Sequence, residues 1–186
     1  MCAQHLRGDH VRLVALQSDS DIELLARWSA MSALWRLLDT ATGRPMQPGS
    51  NEHAGFLIYP LVGDRPIGHA GLFGIDRRRG EAWLGIGLAD HDRWDTPAGA
   101  DALRVIVRYG FDELNLRRIS LAVFEYNARA LRAYESAGFA IEGRMLQEAS
   151  RRGRSRAGVY MSLPREEWER QTEHASPAPR GQARNP

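Results

Sequence analysis

Hydrophobic positions change period several times along this chain, and each change marks an element. From Val11 to Leu16 the segment VRLVAL alternates apolar and polar residues, the signature of a half-buried strand. Ser20 or Asp21 then suits the cap of a helix through IELLARWSAMSALWRLL. From Asp39 to Gly55 the Pro, Gly, Ser and Asn content predicts a loop, long enough to border a binding site. The apolar runs FLIYPLV and PIGHAGLFGI, joined by Gly63-Asp64-Arg65, predict a hairpin, and the turn from Arg77 to Gly80 leads into a third run, AWLGIGLA. Three strands with short turns make an antiparallel meander.

Beyond the meander, strands and helices alternate. Leu103, Ile106, Val107 and Phe111 share one face of a helix over ADALRVIVRYGFDEL, which predicts that it covers the sheet. ISLAVF reads as a strand, and Asn127 to Ala137 as a helix stopped by Gly138. FAIEGRML and AGVYMSL, the latter ending at Pro164, are the last strands. The class is therefore mixed α and β. Residues 171–186 are polar, rich in Pro and Ala and aperiodic, which predicts one domain over 1–170 and a disordered tail over 171–186.

Composition narrows the setting. A chain of 186 residues with 43% hydrophobic content buries one core without disulfides or metals. The single cysteine, Cys2, has no disulfide partner, and no apolar run approaches the roughly 18 residues of a membrane span. A soluble cytoplasmic protein without a membrane partner is expected. All 25 basic residues are arginine against 23 acidic ones, a net charge of +2 that argues against nucleic acid as the main partner. The histidines show no metal-ligand spacing, and no metal is assigned.

The segment from the third meander strand through WDTPAGADAL into the following helix is a candidate phosphate cradle. At a helix start the first backbone N–H groups lack intrahelical partners and the peptide dipoles add positive charge, so a pyrophosphate can be held without lysine. Many proteins that bind no phosphate share this arrangement. Downstream stands FEYNARALRAYESAGFAIEGR, in which Asn127 and Tyr134, seven positions apart, share a helix face and can serve one site.

That segment resembles the GNAT acetyltransferases, in particular their ribosomal-protein-alanine N-acetyltransferase-like branch, through Asn127, Ala130, Tyr134, Glu135, Gly138 and Phe139. YGFDELNLRRISLAVFEYN, GIGLADHDRW and EGRMLQEASRRGRSRAGVYMSLPREEW extend the likeness over about Val11 to Trp168. The resemblance implies a central twisted, mostly antiparallel sheet of six to seven strands flanked by helices, with acetyl-CoA as co-substrate. It also implies transfer to a primary amine, on a small molecule or a protein N-terminus. Tyr134 becomes the catalytic acid near the thioester sulfur and Asn127 an orienting group. Leu88, Trp94, Asp95, Thr96, Ala98, Gly99 and Ala100 join Asn127 and Tyr134 around the cofactor. The strand before the loop is expected to part from its neighbour over Gly85, Ile86, Gly87 and Leu88, offering an N–H to the carbonyl oxygen.

Two departures qualify the resemblance. Relatives carry a loop like Trp-Gly-Lys-Gly-Tyr-Gly-Thr where this chain has Trp94 to Ala100, so Pro97 lacks a donor and Asp95 sets a carboxylate beside the pyrophosphate site. Where many relatives carry a glutamate base stands Trp83, with Glu81, Asp90, His91 and Asp92 nearby. An N-terminal α-amine, with a pKa of about 8, needs no strong base. The alternative is a GNAT-shaped binding module with weakened cofactor affinity; a homodimer is compatible with either. Arg151, Arg152, Arg154 and Arg156 read as a solvated hairpin turn.

Overall fold

The computed structural model describes residues 6–31, 52–89, 96–147 and 156–175. In chain order its elements are β1 (Val11–Ala15), α1 (Asp19–Met31), β2 (His53–Pro60), β3 (Gly68–Asp76), β4 (Glu81–Leu88), α2 (Ala98–Asp112), β5 (Arg118–Phe124), α3 (Ala128–Ser136), β6 (Ala140–Gln147), β7 (Arg156–Pro164) and α4 (Arg165–Ala175). The strands form one seven-stranded sheet in the order β1-β2-β3-β4-β5-β7-β6. Every neighbouring pair is antiparallel except β4 and β5, which run parallel. This is the mixed, mostly antiparallel architecture expected from the sequence.

The first helix begins two or three residues earlier than Ser20 or Asp21 would set it. Ser18 Oγ accepts from Asp21 N at 3.3 Å while the Asp21 carboxylate accepts from Ser18 N at 3.1 Å, a reciprocal capping box. Asp21 is therefore the third helical residue and not the cap. From this helix Trp28 stacks on His69 of β3, ring centroids 6.0 Å apart, so α1 lies on the sheet face opposite α2. The loop predicted from Asp39 to Gly55 falls mostly outside the described residues, and its last three residues belong to β2.

The α2 face holds the core. A Cβ at Gly110 would lie 2.8 Å from Ile119 Cδ1 and 3.0 Å from Leu72 Cδ1, so glycine lets α2 settle directly on β3 and β5. Tyr109 meets Phe56 edge-on at 5.1 Å. Beyond β5, α3 ends at Gly138, whose φ of +92° suits glycine; Phe139 N returns to Tyr134 O at 3.0 Å.

The closing helix, α4, was not anticipated, and its last five residues, Gln171 to Ala175, correct the start of the expected disordered tail. Residues 176–186 lie outside the described residues. Arg165 holds this helix in place: its guanidinium donates to Leu116 O at 2.9 Å, to Asn115 Oδ1 at 3.2 Å and to Phe111 O, bringing positive charge to the carbonyl end of α2. Trp168 then packs on Phe111, ring centroids 5.0 Å apart.

Candidate active site

The parallel pair β4 and β5 is joined only at one end. Its register runs Glu81 with Arg118, Ala82 with Ile119 and Trp83 with Ser120, and then stops although both strands continue. Ala89 N donates to Ile67 O on the β3 side, so by strand alternation the backbone groups of Leu84, Ile86 and Leu88 point toward β5. Leu84 is next to the last paired residues. Ile86, followed by Leu88, therefore turns its N–H toward the opening. The sequence expectation of a parting over Gly85 to Leu88 holds in position, but Gly85 and Gly87 face β3 opposite Gly71 and His69 and are not the donors.

Parallel strands place their carboxyl ends together, and each here leads into a helix whose start flanks the opening. After β4 comes α2, with Pro97 as its N-cap and no side-chain cap bond. The first intrahelical bond runs from Asp101 N to Pro97 O at 2.9 Å, which leaves the amides of Ala98, Gly99 and Ala100 without intrahelical acceptors. After β5 comes α3, capped by Asn127, whose Oδ1 accepts from Ala130 N at 3.2 Å. The carboxamide NH2 of the exposed Asn127 is the part left for a ligand.

Tyr134 lies on the inward side of α3, only 8% exposed, with its ring edge-on to Phe139 at 6.0 Å. Burial pushes its phenol up to about 12. Such a phenol stays protonated at neutral pH and keeps an O–H to offer a departing thiolate. Leu88 of β4 lies beside the start of α2: a Cβ at Gly99 would meet its Cδ1 at 3.4 Å. Trp94, Asp95 and His91 lie outside the described residues, as do the side chains of the arginine turn.

Sequence reasoning missed Asp101. Its carboxylate, in the first turn of α2, accepts from His10 N at 2.7 Å and Val11 N at 3.0 Å, and pairs with Arg104, which also pairs with Asp9 at 2.7 Å. It occupies the place a Cβ at Gly8 would take. The helix start is thereby fixed to the first strand, some 90 residues away in sequence. His69 was likewise passed over. Burial lowers its pKa to about 4, so it is neutral at pH 7 and a poor proton acceptor.

A family model described as an acetyltransferase (GNAT) domain matches residues 4–140. The chain belongs to the GNAT acetyltransferase family. It is 32% identical over 106 residues to an uncharacterized N-acetyltransferase of Bacillus licheniformis, covering 57% of this chain and 58% of that protein. It is 36% identical over 96 residues to a probable N-acetyltransferase of Bacillus subtilis (strain 168), covering 50% and 51%. The matches thus span little more than half the length of these curated relatives.

Among solved structures, the spermidine N-acetyltransferase SpeG from Vibrio cholerae in complex with CoA and spermine superposes with a TM-score of 0.69, at 20% identity over 86% of this chain and 98% of that one. Mutant forms of the same enzyme reach 0.72 at 20% identity, over 87% and 98%. At that identity the likeness is one of fold. Among the described residues of this GNAT chain, no helix is long and apolar enough to cross a membrane, and no group of three or more His, Cys, Asp or Glu could hold a metal ion.

Proposed function

We propose that this GNAT chain transfers the acetyl group of acetyl-CoA to a primary amine, either a protein N-terminal α-amine or a small-molecule amine, by direct attack with both substrates bound. The observation that carries this reading is the parting of β4 from β5 beyond Trp83 and Ser120, between two helix starts. Acetyl-CoA supplies an activated carbonyl and a departing sulfur. The open amides of Ala98, Gly99 and Ala100 hold the pyrophosphate, with Thr96 and Leu88 beside them; Trp94 and Asp95, the other cofactor residues implied by the resemblance, precede them in sequence and lie outside the described residues. The Ile86 N–H steadies the carbonyl oxygen, with Leu88 following on that edge. Asn127 orients through its NH2, and Tyr134 is the acid that donates its proton toward the departing sulfur.

Trp83 stands on the outer face of β4 and His69 is held neutral, so neither can take a proton from an ammonium group. This favours acceptors that are partly neutral already: an α-amine with a pKa of about 8 is roughly one tenth uncharged at pH 7. The Asn127 to Phe139 motif supports placement with the ribosomal-protein-alanine N-acetyltransferase-like enzymes. A reducing cytoplasm suits the lone Cys2. The second reading, a binding module of GNAT shape, is favoured by Pro97, which removes a donor at the start of α2, and by Asp95 and Trp83 where relatives carry a glycine and a glutamate base.

Calorimetric titration with acetyl-CoA separates the two. Micromolar binding by the wild type, tightened about tenfold in Pro97→Gly by the added amide, supports the enzyme. An amine screen then shows turnover that falls by about 10- to 100-fold in Tyr134→Phe without loss of acetyl-CoA affinity. Wild-type protein that does not bind, with binding restored in Pro97→Gly, makes the acetyltransferase assignment wrong.

A further inference from the structure

A pocket of about 290 Å³ opens on the sheet face away from α2, over the joined ends of β4 and β5. Asp76 and Arg79 of the β3–β4 turn, Glu81 and Trp83 of β4, and Arg118 and Ser120 of β5 line it. Most of the charge there is already matched. Asp76 accepts from the backbone of Arg78 and Arg79 at 2.9 and 3.0 Å and faces Arg79 Nε at 3.8 Å. Arg118 is the register partner of Glu81, yet it pairs instead with Glu142 at 2.7 Å. A shift in register between Ile141 and Gly143 of β6 delivers Glu142 to that face, where Ser162 Oγ also donates to it at 2.5 Å.

Both guanidiniums are therefore engaged, and Glu81 forms no ion pair among the described residues. Beside it stands the indole of Trp83, 36% exposed and held edge-on by Tyr160 at 5.8 Å. A single available carboxylate beside an aromatic ring selects a cation.

We infer that this pocket receives a basic side chain of a peptide acceptor, at a fixed distance from the reacting amine; this rests on the acetyl-transfer reading above. Ile86 lies three residues beyond Trp83 and five beyond Glu81 on β4. At about 3.3 Å per residue the pocket is about 10–16 Å from the point of reaction. An extended peptide with its α-amine near Ile86 brings its fourth to sixth residue over the pocket. The acceptor class is a polypeptide N-terminus with arginine or lysine at that position. A free polyamine fits less well, because its ammonium groups, with pKa values of about 10, need the base that Trp83 displaces.

The test uses peptides in which one arginine is walked from the second to the sixth residue, with glutamine controls. They are supplied with free amines for rates and already acetylated for calorimetric binding to the full chain. We expect kcat/KM and product affinity to peak at residues four to six, about tenfold above the glutamine control. Glu81→Gln removes the peak and leaves the control peptides unchanged. Glu142→Gln releases Arg118 to neutralise Glu81 and has the same effect. A flat profile, or a peak that survives Glu81→Gln, overturns the pocket. Turnover with a flat profile leaves the acetyltransferase standing, whereas a binding peak without turnover keeps the pocket and sinks the acetyl-transfer reading.

Discussion

The two helices that flank the open ends of β4 and β5 begin in opposite ways. α3 is capped from within, the Asn127 carboxamide accepting from Ala130 N. α2 starts at Pro97 with no side-chain cap bond, and its first amides have no intrahelical acceptors. An uncapped start normally costs about 1 kcal/mol of helix stability. Here it is secured from outside, because Asp101 turns away from the opening and binds the backbone of His10 and Val11. A helix start that is tied to a distant strand can leave its donors open for an anion. One that caps itself contributes a side chain instead.

The largest effect is expected from cutting that outside tie. Asp101→Ala leaves two backbone N–H groups without their acceptor and Arg104 without its buried partner, at a cost of about 3 kcal/mol, read as a fall in Tm of roughly 6–12 °C. Burial pushes the Asp101 carboxyl up, but hydrogen bonds from His10, Arg104, Asp9 and Val11 outweigh it and leave the pKa lowered. A lowered folded pKa means that this stability is present above the unfolded value of about 3.9 and is lost as pH falls below it. The gap between wild type and variant in denaturant titrations should therefore narrow below pH 4. A gap under 0.5 kcal/mol at pH 7, or one unchanged at pH 3, would show that α2 is not held this way.

A smaller effect separates capping from catalysis in α3. Asn127→Ala loses the bond to Ala130 N and about 1 kcal/mol of stability, and under the proposed role it lowers kcat/KM about tenfold. Asn127→Asp keeps an oxygen for the cap but has no NH2 to offer. Its stability should return to the wild-type value while the rate stays low. Recovery of both would reduce Asn127 to a cap.

This contrast explains what the sequence could and could not reveal. Asn127 and Gly138 are local signals: each satisfies backbone groups within a few residues, so the bounds of α3 were legible, as were the periodic strands and the buried face of α2. The role of Asp101 depends on residues 9–11 and resembled an ordinary acid in a first helical turn. α4 was missed for a similar reason. Its anchors, Arg165 on the α2 carbonyls and Trp168 on Phe111, are made across about 50 residues, and its own surface is too polar to show a period. The limited pairing of β4 with β5 was expected only through the family resemblance, since no residue pattern of its own records which strand lies beside another. The proposed site follows the same division, with the roles proposed for Asn127 and Tyr134 suggested by a motif and the Glu81–Trp83 pocket visible only once β3, β4 and β5 lie side by side.

The smallest expected effect concerns Gly99, the one glycine of the family loop that this chain retains. A glycine there invites the reading that the backbone must approach the pyrophosphate closely. The structure points elsewhere: a Cβ on Gly99 would be directed at Leu88, 3.4 Å from its Cδ1, an ordinary contact. Gly99→Ala gains helix propensity and meets slight crowding, so stability should move by no more than about 0.5 kcal/mol. Calorimetric affinity for acetyl-CoA should change less than about twofold, because the Gly99 amide remains and its open side is not obstructed. A tenfold loss of affinity would place the anion on the Leu88 side of the helix start, and the donors assigned to Ala98, Gly99 and Ala100 would then have to be reassigned.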